Sequence, residues 1–370
     1  MKKVNVLHVF NIMNRGGAET FIMNVNRNIN RNKICFNYLC TSDEKGDYDD
    51  EIKSLGGNIY HLRQRRNTPI SNMVKLYLFF KNEGPFDVIH IPVMFYSGII
   101  CLIAKLAGIK KIIVHSHNAG ESKRNSFFRK LYRKIMRVLI NNFSDYKLSC
   151  GEDAATFLYG STKNVIIINN GIDVDKFQKK DINKINLLKK EFRIKNEIVI
   201  GNVARFVKEK NHIFFIDYAK FLKKNGVNFK IILVGDGSLR EKIKLLIKKN
   251  HLEKNFIITG VRDDVNNILH IFDVLLMPSI HEGFPVTIIE ALASGTPCLL
   301  SNNIDNKVGF IEDMVSFVNL DDDFKIWYDE MSDLMKIKKS SKYIKDIFKR
   351  KKFDINSNVI ILEDIYLNKR

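Results

Sequence analysis

Proline is scarce in this chain, six residues in 370, tryptophan occurs once, and aromatics make up 11% of the residues. That composition excludes collagen-like and disordered classes. The five cysteines (Cys35, Cys40, Cys101, Cys150, Cys298) are odd in number and show no CxxC spacing. Most of them sit in or beside apolar runs. They read as reduced, buried small hydrophobes of a cytoplasmic protein, not as a disulfide framework or a zinc cluster. No apolar run approaches the roughly 20 residues needed to span a bilayer. The segment Tyr96 to Ala107 is too short and is interrupted by Lys105. The N-terminal MKKVNVLHVF imitates a signal peptide, but Asn11, Asn14 and Arg15 follow it without a small-residue cleavage site. Acidic residues are the minority: 41 against 60 Lys and Arg, net +19. Residues 1–180 carry 28 basic and 15 acidic side chains, and the remainder 32 and 26, so the excess lies mainly in the first half. An anionic partner is implied: nucleic acid, a phosphate-bearing ligand or a membrane surface.

A hydrophobic content of 45% over 370 residues can build two domains. Short apolar runs alternate with helical patterns. In the first half, strands are predicted at Val4–Phe10, Ile34–Cys40, Val88–Ile91, Lys111–His115, Tyr146–Ser149 and Val165–Ile168. The helices between them fall at Ala18–Asn30, Met73–Asn82, Gly98–Ala107 and Arg124–Asn141. The rhythm restarts with strands at Ile198–Val203, Phe229–Val234, Phe256–Thr259, Val274–Met277 and Cys298–Ser301. Helices at Ile213–Lys224, Leu239–Asn250 and Val286–Ser294 separate them. Continuous apolar strands are buried on both faces, which indicates parallel sheets flanked by helices, hence two doubly wound α/β domains. Asp175–Lys195 reads as a linker with a first polar helix. Ligands of such sheets sit at the carboxyl ends of the strands, so those positions carry the functional reading.

After the first strand come Gly16 and Gly17, opening a helix whose free N–H groups can face an anion or a sugar hydroxyl. They do not form GxGxxG, which removes support for a nicotinamide enzyme. The strand ending at Val114 runs into His115-Ser-His117-Asn118, two imidazoles placed to donate to a polar ligand. As a metal site this HxH has no third ligand at readable spacing. Arg205 follows a second-half strand and Lys210 the next turn, a fork and a point charge suited to phosphate. Gly235 ends the following strand, where a ligand can approach the backbone closely. Glu282, Gly283, Phe284, Pro285 and Glu290 lie in the stretch SIHEGFPVTIIEALASGTP. Pro285 suits the first turn of a helix, and Glu290 sits on an otherwise apolar helix, where a carboxylate needs a partner. A carboxylate for sugar hydroxyls, a helix end for phosphates and a carboxylate for ribose together suit a nucleotide sugar.

Taken in order, these pieces resemble the GT-B fold glycosyltransferases of family 4. Gly16-Gly17-Ala18-Glu19 looks like the first-loop glycine motif, His115-Ser-His-Asn118 like the N-domain histidine motif, and Asn170-Gly171-Ile172-Asp173 like an NGxD signature. Glu282 and Glu290, with seven residues between them in an EGFP…EA.A.G.P context, match the paired glutamates; bacterial capsule and exopolysaccharide transferases look most similar. The resemblance implies two Rossmann-like domains facing a central cleft. Residues 1–175 would bind the acceptor and 176–354 the donor, with a C-terminal helix near 355–370 placed to pack back on the first. It implies a retaining hexosyltransferase in which Glu282 contacts the donor sugar, Glu290 the ribose, and Arg205 and Lys210 the diphosphate. Either His117 or His115 would lie near the sugar. The donor would be a UDP- or GDP-sugar, UDP favoured, and the acceptor a carbohydrate or lipid-linked glycan. No metal or other cofactor is expected, because the two cations supply the charge, and Asp173-Val-Asp175 reads as part of NGxD. One departure stands out: the stretch 302–308 holds no glycine until Gly309.

Lys123–Arg137 sets Phe127, Phe128, Leu131, Tyr132, Ile135 and Met136 at helical spacing, with Leu139 beyond. Arg129, Lys130, Arg133, Lys134 and Arg137 are set opposite. That is the pattern of a helix lying on an anionic membrane, and it places the protein peripherally on the inner face of the cell membrane. The later run Phe348–Phe353 reads as a solvated turn. A nucleotide-sugar epimerase of the same fold and a nucleic-acid-binding protein are the competing readings. No zinc-finger spacing, RNP motif or heptad-bearing basic region supports the latter.

Overall fold

The computed structural model describes residues 3–64, 68–118, 120, 126–282 and 284–368. Two compact units emerge. The first comprises the chain up to Ile172 together with the segment from Lys352 onward, and the second is Asp173–Lys351. The boundaries expected from sequence were 175/176 and 354/355.

The first unit runs β1 (Val4–Phe10), α1 (Gly17–Asn28), β2 (Ile34–Cys40), α2 (Asp49–Ser54), β3 (Ile59–His61), α3 (Pro69–Asn82) and β4 (Val88–Ile91). It continues with α4 (Ser97–Leu106), β5 (Lys111–Ser116), α5 (Phe127–Phe143), β6 (Tyr146–Ser149), α6 (Glu152–Tyr159) and β7 (Ile166–Ile167). The strands form one parallel sheet in the order β3-β2-β1-β4-β5-β6-β7. Both faces are covered. Phe21, Ile22 and Val25 of α1 fill one side, and Ile100, Ile103 and Met136 of α4 and α5 the other. The edge strand β3, three residues long, escaped the sequence reading because so short a run carries no periodicity.

The second unit begins with α7 (Val174–Gln178), α8 (Ile182–Glu191), β8 (Ile198–Val203), α9 (Phe214–Lys224), β9 (Phe229–Val234), α10 (Arg240–Lys249) and β10 (Phe256–Gly260). It ends with α11 (Val265–Ile268), β11 (Val274–Met277), α12 (Val286–Ser294), β12 (Cys298–Ser301), β13 (Val315–Val318), α13 (Phe324–Leu334) and α14 (Ser341–Arg350). Its six strands are again parallel, ordered β10-β9-β8-β11-β12-β13. In each sheet the first strand lies inside and the order reverses beside it, which is the doubly wound pattern.

The last helix, α15 (Ile355–Tyr366), belongs to the first unit. Its entry is zipped to Ile172, whose N–H donates to the Phe353 carbonyl at 2.9 Å and whose carbonyl accepts from Ile355 at 2.9 Å. Ile355, Val359, Leu362 and Ile365 enter the core beside α1, each contributing about 1.5–3 kcal/mol of gross burial before ordering entropy is charged. The Lys111 ammonium donates to the terminal carbonyls of Ile365 and Tyr366, a cation at a helix C-terminus. The run Phe348–Phe353 is not wholly a solvated turn: Phe348 and Phe353 are buried at its two ends and only the cations between them face water.

Candidate functional site

In the first unit the candidate histidines stand at the carboxyl end of β5. The strand is buried along its length, so its continuation carries His115 into the interior at 0% exposure. His115 Nδ1 lies 3.2 Å from His90 Nε2, and His90 Nδ1 lies 2.7 Å from the Tyr366 hydroxyl. The His117 ring is 4.0 Å from that of His115, and Phe21 packs against both at 5.5 and 5.6 Å. Burial pushes the His117 imidazole down to about 4, with Asn170 working the other way. It holds His115 and His90 well below the ordinary range, neighbouring histidines adding to the effect. These rings are neutral at physiological pH and act as single donors and acceptors, not as cations.

Gly16 is the N-cap of α1 and Gly17 its first residue. A methyl group on Gly16 would collide with the carboxylate of Glu19, whereas Gly17 faces open space. Glu19 therefore already complements the positive end of α1, and a neutral hydroxyl suits this turn better than an anion. In the Asn170–Asp173 segment, a methyl group on Gly171 would strike the buried Asn358 side chain of α15. That glycine permits close packing.

In the second unit Arg205 lies exposed just after β8, and Lys210 ends a 3-10 turn at Lys208–Lys210. The Lys210 ammonium forms an ion pair with Glu282, both side chains mostly shielded at 18% and 15% exposure. Two backbone links hold the pair. Ile280 N–H donates to the Glu209 carbonyl at 2.8 Å, and Glu282 bridges Ile304 in parallel. The glycine-free stretch after β12 is thus what pins the Glu282 loop, with Asp305 capping its own short turn through Lys307 N–H. Burial pushes the Lys210 ammonium down to about 8 and the nearby Arg205 charge adds to the shift, with the Glu209 carboxylate opposing both.

Gly283 lies outside the described residues. Phe284 is half-buried and Pro285 is buried. Pro285 does not occupy the first helical turn as expected; it is the N-cap of α12, with extended ψ of 121°. The proline ring offers no acceptor to the first-turn N–H groups, and among the described residues no side chain caps them; the Pro285 carbonyl accepts from Ile288 N–H at 3.1 Å. Glu290 is half-buried on α12, and burial pushes its carboxyl up to about 7, Lys176 of α7 opposing. At Gly235, φ is +134° and the missing side chain leaves room for the Ala204 carbonyl, so close packing of the chain itself already requires glycine there.

The DxD carboxylates are engaged elsewhere: Asp173 caps α7 through Lys176 N–H at 3.0 Å, and Asp175 pairs with Lys345 at 2.7 Å. Among the described residues no cluster of three His, Cys, Asp or Glu is arranged to hold a metal ion.

The basic helix begins, within the described residues, at Ser126, whose hydroxyl caps it. Lys123 and Arg124 lie outside them. The apolar stripe splits in two. Met136 and Ile140 are buried, with Tyr132 and Leu139 packed beside them. Phe127 and Phe128 are 75% and 80% exposed, and Leu131, Ile135 and Val138 are also exposed, with Lys130 and Lys134 among them. Arg133 and Arg137 do not join a free basic face. Their guanidinium groups lie over Phe95, and Arg137 donates to the carbonyls of Phe157 and Leu158 at the end of α6. The sequence reading missed a second exposed apolar row on α3: Ile70, Val74, Tyr77 and Leu78. Its spacing of four, three and one was legible in the sequence.

Residues 15–176 match the family described as Glycosyltransferase Family 4, and residues 183–346 match Glycosyl transferases group 1. The chain is 32% identical to the Bacillus subtilis protein named as glycosyltransferase EpsF, across 98% of this chain and 96% of that one. It is 29% identical to the Staphylococcus aureus capsular polysaccharide biosynthesis glycosyltransferase CapH, across 99% of each. The fold is similar to that of Anabaena HepE crystallised with UDP, at TM-score 0.76 and 16% identity over 98% of this chain and 99% of that one. No helix among the described residues is long and apolar enough to cross a membrane. Relatedness along almost the whole length, through both halves and on two parallel doubly wound sheets, makes this chain a glycosyltransferase of family 4 with the GT-B fold.

Proposed function

We propose that this enzyme moves a hexose or N-acetylhexosamine from a UDP-sugar, with retention, to a sugar hydroxyl of a lipid-linked or growing surface polysaccharide. The observation that carries the donor half is the shielded Lys210–Glu282 pair beside Arg205, in the same unit as a helix whose N-terminal N–H groups have no side-chain cap. Cleaving the anomeric C–O bond places negative charge on the leaving diphosphate and positive charge on the ring. Arg205, Lys210 and the α12 N-terminus supply donors to the first, and Glu282 a carboxylate to a sugar hydroxyl. Glu290 would accept from the ribose hydroxyls. In this reading the cations do the work a metal does in other transferases, and transfer persists in EDTA. The UDP held by HepE and the capsule-related name of CapH support the donor base and the polysaccharide acceptor.

A thermal-shift comparison tests the donor site. UDP and UDP-sugars are expected to raise the melting midpoint, GDP-sugars less, because a ligand that binds only the folded state stabilises it by mass action. Arg205→Ala should remove most of the shift. If no nucleotide moves the midpoint of the unaltered chain, the donor reading fails.

A peripheral location on the inner membrane face is supported by the two exposed apolar rows. Helices α3, α4 and α5 cover one side of the first sheet, so Ile70, Val74, Phe127, Phe128 and Leu131 share that side with Lys130 and Lys134. Apolar insertion and attraction to anionic headgroups then add. Phosphatidylglycerol vesicles should sediment the protein at low salt and phosphatidylcholine vesicles should not. Phe127→Ser with Phe128→Ser should leave most of it in the supernatant. A chain that ignores anionic vesicles altogether would remove the membrane assignment.

A further inference from the structure

Four histidines stand in a row across the first sheet. His8 on β1 pairs in register with His90 on β4, His115 is near the end of β5, and His117 follows it. Successive ring centroids are 5.0, 5.3 and 4.0 Å apart, and His8, His90 and His115 are wholly buried. Sugar contact needs one of them, so the others require a different account. Among the described residues His8 meets no hydrogen-bond partner, and it packs between Phe36 and Tyr38. His90 and His115 are different, because they belong to a hydrogen-bonded chain that starts on the last helix. The Tyr366 hydroxyl is 2.7 Å from His90 Nδ1, His90 Nε2 is 3.2 Å from His115 Nδ1, and His115 Nε2 is buried without a partner among the described residues.

The chain has a direction. A neutral imidazole carries one N–H and one lone pair, and a buried phenol has to place its O–H on an acceptor. Among the described residues His90 Nδ1 is the hydrogen-bond partner of the Tyr366 hydroxyl. Were His90 the donor, the phenolic proton would be buried with nowhere to go. Tyr366 therefore donates to His90 Nδ1, which puts the His90 proton on Nε2. That N–H donates to His115 Nδ1, which in turn puts the His115 proton on Nε2. Burial keeps both rings neutral, so no second proton obscures the order.

We propose that Tyr366 and His90 are positioning residues that hold His115 as its Nε2–H tautomer, a buried hydrogen-bond donor kept for an oxygen of the bound sugar. The identity of that oxygen rests on the glycosyltransferase reading above; the tautomer is a property of the free protein. The chain also makes α15, contributed by the far end of the polypeptide, a determinant of the chemistry at β5.

The test is a long-range proton–nitrogen NMR spectrum of the full chain labelled with 15N-histidine, without ligand, His115 being assigned by its loss in His115→Asn. The expected pattern has His115 protonated at Nε2 and bare at Nδ1. Tyr366→Phe keeps the ring that packs α15 and removes the proton source. It should mix the two His115 tautomers and lower kcat about tenfold with donor KM little changed. His90→Gln, whose amide N–H can still donate to His115 Nδ1, should restore both pattern and rate, and His90→Leu should restore neither. A His115 proton on Nδ1 in the unaltered chain overturns the proposal, as does a Tyr366→Phe protein with unchanged spectrum and kcat. If Tyr366→Phe does not fold, the spectrum of the unaltered chain still decides. Should that spectrum agree while no sugar is transferred from UDP-sugars, the relay stands and the donor reading falls.

Discussion

Glu282→Gln is expected to lower kcat for sugar transfer by about 10²-fold or more while UDP binds at least as tightly as to the unaltered chain. The two halves of that expectation come from one contact. In the free protein Glu282 is paired with the shielded Lys210 ammonium. An amide of the same shape keeps the loop that Ile304 and Glu209 hold in place, but it no longer balances the cation. Removing one member of a well-buried pair costs about 3–5 kcal/mol, and a pair still partly wetted costs less. Lys210, already pushed down to about 8, would lose the charge that supports its protonated form. A diphosphate restores that charge, so UDP affinity is preserved or improved. The transferred sugar, in contrast, loses a full carboxylate acceptor at the moment positive charge develops on its ring. Steady-state kinetics with isothermal titration of UDP separates the two effects. Unchanged kcat in Glu282→Gln would remove this residue from the catalytic set.

The second large effect concerns Glu290→Gln, expected to stabilise the fold at pH 8 while weakening UDP binding. Burial holds the Glu290 carboxyl up at about 7 against an ordinary 4.5. The folded state therefore keeps a proton that the unfolded state has released. Between about pH 4.5 and pH 7 stability falls as pH rises, since the unfolded chain binds fewer protons there. Above pH 7 the full penalty, at most about 3 kcal/mol, is in place. Below pH 4.5 the group is protonated in both states and contributes nothing. Glutamine removes the slope, so the melting midpoints of the two proteins should diverge from pH 5 to pH 8 and coincide near pH 4. Ribose hydroxyls donating to the carboxylate would lower its pKa, so UDP binding near pH 6 should release protons, seen as a buffer-dependent heat that Glu290→Gln lacks. Parallel stability profiles for the two proteins would show that Glu290 is solvated in the fold.

The two sheets were legible because their central strands are unbroken apolar runs, and a parallel sheet buried on both faces demands that pattern. The edge strands β3 and β13 were not, being three and four residues long and half exposed. Arg205, Lys210 and Glu282 stand out as candidates from their places after strands, which is where doubly wound sheets present side chains. The ion pair between Lys210 and Glu282 was not readable, since nothing local joins positions so far apart. Pro285 was misplaced by one residue because a proline suits both the cap and the first turn. That Gly235 also makes room for the Ala204 carbonyl was not readable, since nothing in a short window joins the two strand ends.

The amino-acid order by itself determined the α/β class, the two sheets, the glutamate pair and the basic amphipathic helix, since each follows from periodicity or position within a few residues. The division of that helix was decided only by the tertiary structure, which buries Met136 and Ile140 while leaving Phe127 and Phe128 in the open. So was the His90 and Tyr366 chain behind His115. A histidine in an apolar strand and a tyrosine in a terminal helix carry no mark of each other. Their meeting depends on α15 returning to the first sheet, and that return is fixed by side-chain packing summed over many distant residues, which no short window of sequence contains.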